Sequence, residues 1–462
     1  MNILHVESSL NWGGQEHRTL LETQWLNENG HRAWIACNPT SELRRRGGES
    51  CIPLAMRGSF DPAAAARLAA LCRRNNIDVV HAHSPKDAWI CSALHFAGQP
   101  VVRSRQITNP VKAKWSRSVI YRRGCARVIA SAACIRRDLI ARNGVAPGRI
   151  AIVGEGVDLA KFHPAVDGAP LRAEFGVGPE QVLFGLVAMF RPEKGHLVLI
   201  EAAREVLRSH PAARFALVGE GTGRREFETT VRDRLTELFG DARSGPIFMT
   251  GYRADAPNVM AALDVLVIPS LAEAQSLVTP QAFATRRAVI ASDVGGLPEL
   301  VRDGETGLLV PPGDPIALAG AIRRLGADPV LRARLAAAGH AFAVQDLSLN
   351  RKMEESLAIY AEVSAPRRMK PRAKPAQPDN VVPFPVAHPP RLGQTALRAA
   401  AIAAALLVGW LNSSAPPPTV ETARLRADIQ ARVGQLSANH SLARLDDDDN
   451  DDLLLPDDDD LA

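Results

Sequence analysis

Short apolar runs recur along the first 345 residues, and the stretches between them carry apolar positions at helical spacing. Strands are expected at Asn2–Val6, Arg32–Cys37, Asp78–His83, Pro100–Ser104 and Arg127–Ser131. They resume at Val182–Met189, Arg214–Val218, Ile247–Thr250, Val265–Pro269, Ala288–Ser292 and Gly307–Val310. Segments such as Asp61–Arg74 and Gly195–Ser209 read as helices between them. Regular strand–helix alternation predicts an α/β chain whose parallel sheets are covered by helices on both faces. Eleven strands exceed one comfortable sheet, and they divide into sets of five or six at a Gly- and Pro-rich seam near Gly154–Gly178. Two doubly wound domains facing each other are therefore expected. Ligands in such sheets sit beyond the carboxyl ends of the strands, here opening onto the cleft between the domains.

Past that region the pattern changes. Residues 346–363 read as a closing helix, with Met353, Leu357 and Tyr360 on one packing face. Ala365 to Arg391 shifts to Pro and basic residues, an extended linker. The uninterrupted apolar run Ala399–Leu411 would be ~20 Å long as a helix, against ~30 Å of bilayer hydrocarbon. It fits a helix lying in or docking on a membrane, a crossing with Arg398 snorkelling, or an ordinary packed helix. The basic linker before it favours the membrane options. The expected layout is 1–155 and 156–345 as the two domains, 346–363 as the closing helix and 364–391 as the linker. An apolar helix at 392–412 and a polar, acidic tail at 413–462 complete it.

Of the 462 residues 46% are hydrophobic and 23% charged, which excludes a wholly disordered chain, a collagen-like fibre and a polytopic membrane protein. The net charge of +5 conceals a division: ten Asp fall in residues 446–462, leaving about +15 on the remainder. Residues 103–149 alone carry twelve Lys or Arg against Asp138, with Trp115 and Tyr121 interleaved. No nucleic-acid-binding module accompanies this patch, so nucleic acid is not the expected partner. An anionic membrane surface or an acidic lipid-linked acceptor fits better. The six cysteines show no zinc spacing and read as reduced, mostly buried thiols. With no signal-peptide pattern in MNILHVESS, the body is expected in the cytoplasm, peripheral or C-terminally anchored at the inner face of the plasma membrane.

Candidate chemistry collects at the predicted strand ends. Gly13 and Gly14 follow the first strand, where a bare backbone can approach a ligand or simply turn. This is not the G-x-G-x-x-G dinucleotide fingerprint, so no nicotinamide or flavin cofactor is expected. His81 and His83 share one side of their strand, with His83 better placed to reach a cleft. A metal would need a third ligand, and no neighbouring cluster supplies one. Arg191 and Lys194 precede a helix, where two cations and free amides suit a diphosphate or form an ordinary charged loop. Gly219 ends another strand at the same edge. Glu273 stands in the loop after Val265–Pro269, and a helix begins near Ser276–Thr279 with Gln281 in its first turns. Glu273 and Gln281 can take hydroxyls, and the helix start suits an anion.

In order along residues 1 to about 363, WGGQEHR, DVVHAHS, GVDLAKFHP, RPEKGHLVLIEA, FALVGEGTGR, MTGYRADAP, DVLVIPSLAEAQSLVTPQAFA, VIASDVGGLPELV and RDGETGLLVPPGDP resemble one family. It is glycosyltransferase family 4 (glycosyl transferases group 1), retaining nucleotide-sugar enzymes of GT-B fold. The resemblance implies two Rossmann-like domains, with the last helix crossing back to the first. It implies Gly13 and Gly14 facing the diphosphate and acceptor, and His83 near the transferred sugar. Arg191 or Lys194 would neutralise the diphosphate, while Tyr252 and Arg253 lie where the family holds the base. Glu273 would bind sugar hydroxyls, with backbone amides of Gln275, Ser276 and Leu277 near the phosphates and Gln281 at the ribose.

Two positions depart from the family pattern. Gln281 stands where Glu is usual and keeps hydrogen-bonding capacity without the charge. Met189 stands where the family usually has its diphosphate-binding Arg, and Arg191 is the nearby substitute. The expected reaction is metal-independent, retaining transfer by front-face attack from a nucleoside-diphosphate sugar, without further cofactor. The acceptor would be a cell-envelope glycan or lipid-linked molecule. A nucleotide-sugar epimerase and a non-catalytic nucleotide-sugar-binding scaffold are the alternatives.

Overall fold

A computed structural model of the chain describes residues 1–109, 111, 115–221, 226–240 and 245–368. The linker from 369 onward, the apolar segment 392–412 and the acidic tail lie outside the described residues. No helix among the described residues is long and apolar enough to cross a membrane.

Thirteen strands form two all-parallel sheets among these residues. The first contains β1 (Asn2–Glu7), β2 (Arg32–Cys37), β3 (Cys51–Pro53), β4 (Val79–Ala82), β5 (Val101–Arg105), β6 (Arg127–Ala130) and β7 (Ile150–Ile152), in the order β3-β2-β1-β4-β5-β6-β7. The second contains β8 (Leu183–Val187), β9 (Arg214–Val218), β10 (Ile247–Gly251), β11 (Val265–Ile268), β12 (Ala288–Ser292) and β13 (Leu308–Val310), in the order β10-β9-β8-β11-β12-β13. The hydropathy pattern missed β3 and β7. Each is a three-residue edge strand. The expected strands at 78–83 and 182–189 also end early, so His83 and Met189 lie outside the strands themselves, although His83 N still donates to the Val6 carbonyl at 3.2 Å.

Both faces of each sheet are covered, which is why the strands read as continuous apolar runs. Leu4, Val6, Val80, Val101 and Val128 face one core of the first sheet. Ile3, Val79, Val102 and Ile129 face the other, and there they meet Met353, Ile359 and Tyr360. Those last residues belong to the helix Leu349–Arg368, so the last described helix closes over the first sheet. Burying each such aliphatic side chain contributes roughly 1.5–3 kcal/mol. The helix starts after the expected residue 346, which ends the preceding helix Pro329–Asp346, and it continues past Ala365 into the expected linker.

The connections between the sheets run side by side. Val157 N donates to Leu347 O and Leu349 N donates to Val157 O, each at 2.8 Å. Arg18, buried on the helix Gly14–Glu28, anchors this region. It donates to Glu22 at 2.6 Å, Glu155 at 3.2 Å and the Val153 carbonyl at 3.3 Å. None of the six cysteines is in a disulfide, and five are buried. Tyr121, read as an aromatic of the basic surface, is instead buried under the Arg103 guanidinium, 4.2 Å from its ring centre. Arg122, Arg123, Arg137 and Arg142 are exposed.

Candidate functional site

A doubly wound sheet opens a crevice where its strand order reverses, because helices leave neighbouring strands toward opposite faces. Here the reversals fall between β1 and β4 and between β8 and β11. The segments following these four strands contain Gly13–Gly14, His83, Arg191–Lys194 and Glu273–Leu277.

Gly13 caps the helix Gly14–Glu28. A Cβ on Gly13 would lie 3.3 Å from Met189 Cε, and one on Gly14 would lie 3.1 Å from Leu277 Cδ1. The first loop of one sheet is thus packed against two loops of the other. Position 189 points its side chain at this glycine loop, although here it is Met.

Behind the loop is a set of buried polar groups. Glu7 accepts from Ser9 N at 2.9 Å, from Gln15 Nε2 at 2.6 Å and from the Ser84 hydroxyl. Burial, and then the charge of Glu16, push the Glu7 carboxyl up to about 7. Asp87 accepts from Ser8 N and Ser84 N, and burial followed by the Glu7 charge holds its carboxyl well above the usual range. Together they fasten the loop after β1 to the start of the helix Pro85–Phe96.

His83 is 4% exposed, and its Nε2 lies 2.9 Å from Nδ1 of His5. His81 bonds the Tyr360 hydroxyl and Ser104 Oγ, each at 2.7 Å. Contrary to expectation, a third histidine stands beside His81 and His83. β1 pairs with β4 with His5 opposite His81, producing a buried three-histidine cluster from positions far apart in sequence. Both nitrogens of His81 and one nitrogen each of His5 and His83 already have partners, so a cation would have to displace them.

On the second sheet, Lys194 Nζ donates to Glu273 at 2.7 Å, and Glu273 also accepts from Ser270 Oγ at 3.2 Å. Arg191 caps the short turn Pro192–Lys194. Its side chain is 43% exposed and its ion pair with Glu193 is long, at 3.9 Å. Gly219, with φ of +143°, follows β9, where a Cβ would run into the Ala188 carbonyl oxygen, so only glycine fits beside Met189.

The Gln275 side chain is held by the first half of the chain. Its amide oxygen accepts from the Glu155 backbone N–H between the sheets. Ser276 is buried, and Leu277 caps the helix Val278–Ala284. Gln281 lies on that helix, half-buried. Tyr252 is 45% exposed, and its hydroxyl accepts from Arg46 Nη1 at 3.3 Å. The Arg46 guanidinium also lies 4.5 Å from the centre of the Trp12 ring. Arg253 is engaged instead by Asp255, at 2.7 and 2.9 Å, and by Glu174 at 2.6 Å. One further link crosses between the sheets. Glu299 accepts from Ala133 N at 2.8 Å and Cys134 N at 3.3 Å, capping the helix Ala133–Asn143.

Residues 12–161 match the family described as Glycosyltransferase Family 4, and residues 181–328 match Glycosyl transferases group 1. The chain belongs to these glycosyltransferases. It is 35% identical over 239 residues to the D-inositol 3-phosphate glycosyltransferase of Acidothermus cellulolyticus, covering 50% of this chain and 52% of that protein. It is 27% identical to the alpha-D-kanosaminyltransferase of Streptomyces kanamyceticus, covering 60% of this chain and 71% of that one. The chain spans about half the length of the curated inositol-phosphate relatives it matches. The fold is that of a glycosyltransferase from Rickettsia africae, with a TM-score of 0.70, 22% identity, 78% of this chain and 98% of that one covered. Anabaena Alr3699/HepE, solved with UDP and glucose, has the same GT-B fold. Its TM-score is 0.69 at 22% identity, with 78% of this chain and 99% of that one covered.

The crevice between the two sheets thus gathers residues that the motifs point to and others that they do not. His5, Glu7, Arg46 and Glu299 belong to no recognisable spacing. Only His5 had a usable signal, because the first strand of a doubly wound sheet borders the strand carrying His81.

Proposed function

We propose that the chain transfers a sugar, with retention, from a nucleoside-diphosphate sugar to a hydroxyl of a cell-envelope glycan or lipid-linked acceptor. The observation that carries this reading is the packing of the Gly13–Gly14 loop against Met189 and Leu277, beside the Lys194–Glu273 pair and Arg191. Anabaena HepE, of the same fold, was solved with UDP-glucose, which supports a nucleotide-sugar donor.

In this reading the departing diphosphate accumulates negative charge, and fixed cations stabilise it where it forms. Lys194 is already paired with Glu273, so Arg191, with only a long ion pair, is the cation that takes the diphosphate. Glu273 orients sugar hydroxyls, His83 lies beside the sugar, and Gln281 takes the ribose. The base lies against Tyr252, in the loop that also holds Arg253. Gly219 leaves the backbone bare at the same edge. The acceptor hydroxyl passes its proton to the leaving phosphate as the new glycosidic bond forms on the same face. This reading calls for no metal at the diphosphate. The exposed arginines 122, 123, 137 and 142 favour an acidic acceptor or an anionic membrane on the side of the first sheet.

The test is incubation with a panel of nucleotide sugars, with and without membrane extract, plus chelator. Acceptor-dependent nucleotide release that survives the chelator supports the proposal. Acceptor-independent sugar conversion would reveal an epimerase instead. Binding without turnover would reveal a scaffold.

A further inference from the structure

The three buried histidines raise a question of proton placement that the transferase reading leaves open. His5 and His83 have rings 20° from parallel, with centroids 5.2 Å apart and the facing nitrogens at 2.9 Å. That is an in-line N–H···N bond between two imidazoles, which requires one bare nitrogen and one protonated nitrogen. Burial lowers the proton affinity of both rings, His5 to about 4, so at neutral pH each is neutral and carries one N–H. The bond uses one of the two protons. The other sits on either His5 Nε2 or His83 Nδ1, both buried without a partner.

These two positions are not equivalent. His5 is fully buried at the middle of β1, flanked by β2 and β4, where no ligand reaches. An orphaned N–H there would remain unsatisfied permanently, whereas a bare lone pair is the less costly orphan. His83 lies just past β4 at the carboxyl edge, where a ligand would sit. His81, fixed by Ser104 and Tyr360, lies with its ring centre 4.2 Å from that of His83 and blocks it from swinging aside.

We infer that His5 is a positioning residue: its Nδ1–H donates to His83 Nε2, so that His83 presents Nδ1–H to an oxygen of the bound substrate. The inference rests on the transferase reading, in which His83 lies beside the sugar. It assigns the roles of donor and acceptor within the cluster and gives His5 a function that no motif carries.

Two measurements test it together. Nitrogen NMR of histidine-labelled protein, with His83→Gln used for assignment, reads the tautomer directly. A His83 protonated on Nδ1 supports the inference, and one protonated on Nε2 or charged overturns it. Kinetics of position 5 supply the second readout. His5→Leu is expected to lower kcat by about 10- to 100-fold with donor KM within about twofold, as for loss of an orienting partner. His5→Asn, whose side-chain N–H can replace Nδ1–H, should recover most of that loss. His5→Asp, which can only accept when ionised and so selects the other tautomer of His83, should not. Equal rates for Asn and Asp would overturn the inference, as would His83→Ala turning over like wild type. Should no donor support transfer at all, the function proposed above fails, while the NMR result still decides the tautomer.

Discussion

Arg46, from the half of the chain built on the first sheet, donates a 3.3 Å hydrogen bond to the hydroxyl of Tyr252, from the half built on the second. With Trp12 beneath its guanidinium, Arg46 spans the mouth of the cleft at the loop proposed to hold the base. Replacing it by Ala removes a hydrogen bond and a cation–π contact worth about 0.5–2 kcal/mol. Arg46→Ala is expected to raise donor KM by roughly 2- to 30-fold, with little change in kcat. Titration calorimetry with the nucleoside diphosphate would show the same weakening, and unaltered affinity would dissociate Arg46 from the donor.

The Lys194–Glu273 pair makes a prediction of a different kind. Glu273→Ala should lower turnover about 100- to 1,000-fold, the scale for loss of a preorganised electrostatic partner in the site. Circular dichroism should show the fold retained, since the ends of this pair sit in loops. A Glu273→Ala protein with wild-type turnover would remove Glu273 from the site.

Glu7 predicts how stability depends on pH. Its folded carboxyl titrates near 7 against an ordinary 4.5, so between those values the folded state holds the extra proton. Its stabilising contribution is therefore complete below about 4.5 and lost as pH rises through 7, about 3 kcal/mol in all. In Glu7→Gln, with Gln15 flipping its amide to match, this loss should vanish. Thermal melts of the two proteins from pH 5 to 8 should diverge, with the variant gaining relative stability toward pH 8. Parallel curves would contradict the raised affinity for the proton.

Glu299 closes the helix Ala133–Asn143 from the other half of the chain. Removing such a cap costs about 0.5–2 kcal/mol. Glu299→Ala should lower the melting temperature modestly and speed hydrogen exchange at the Ala133 and Cys134 amides. Unchanged exchange at those two amides would deny Glu299 the role.

Hydropathy made most of the architecture legible. Fully covered parallel strands write their burial directly into the sequence, and Tyr360 and Met353 announced the face on which the last helix packs. The short edge strands β3 and β7 did not register, although β13, of the same length, did. Loop positions were legible where a residue type is chemically demanding, as with Gly13, Gly219 and Glu273. Side-chain direction was not. Nothing in the sequence shows that Gln275 reaches Glu155, that Arg253 is held by Glu174 and Asp255, or that Tyr121 lies inward. Pairings across the cleft, such as Arg46 with Tyr252 and Glu299 with Ala133, depend on how two separately built sheets meet. Local spacing does not encode that meeting.

The helix Leu349–Arg368 also orders events in time. The first sheet is complete in sequence at Ile152, yet Met353, Ile359 and Tyr360, which cover one of its faces, are translated some 200 residues later. At ordinary elongation rates this leaves Ile3, Val79, Val102 and Ile129 without that cover on the ribosome for about 10–40 s. During synthesis the nascent first half thus carries an apolar face that a chaperone can bind, and release of that face must wait for the helix Leu349–Arg368.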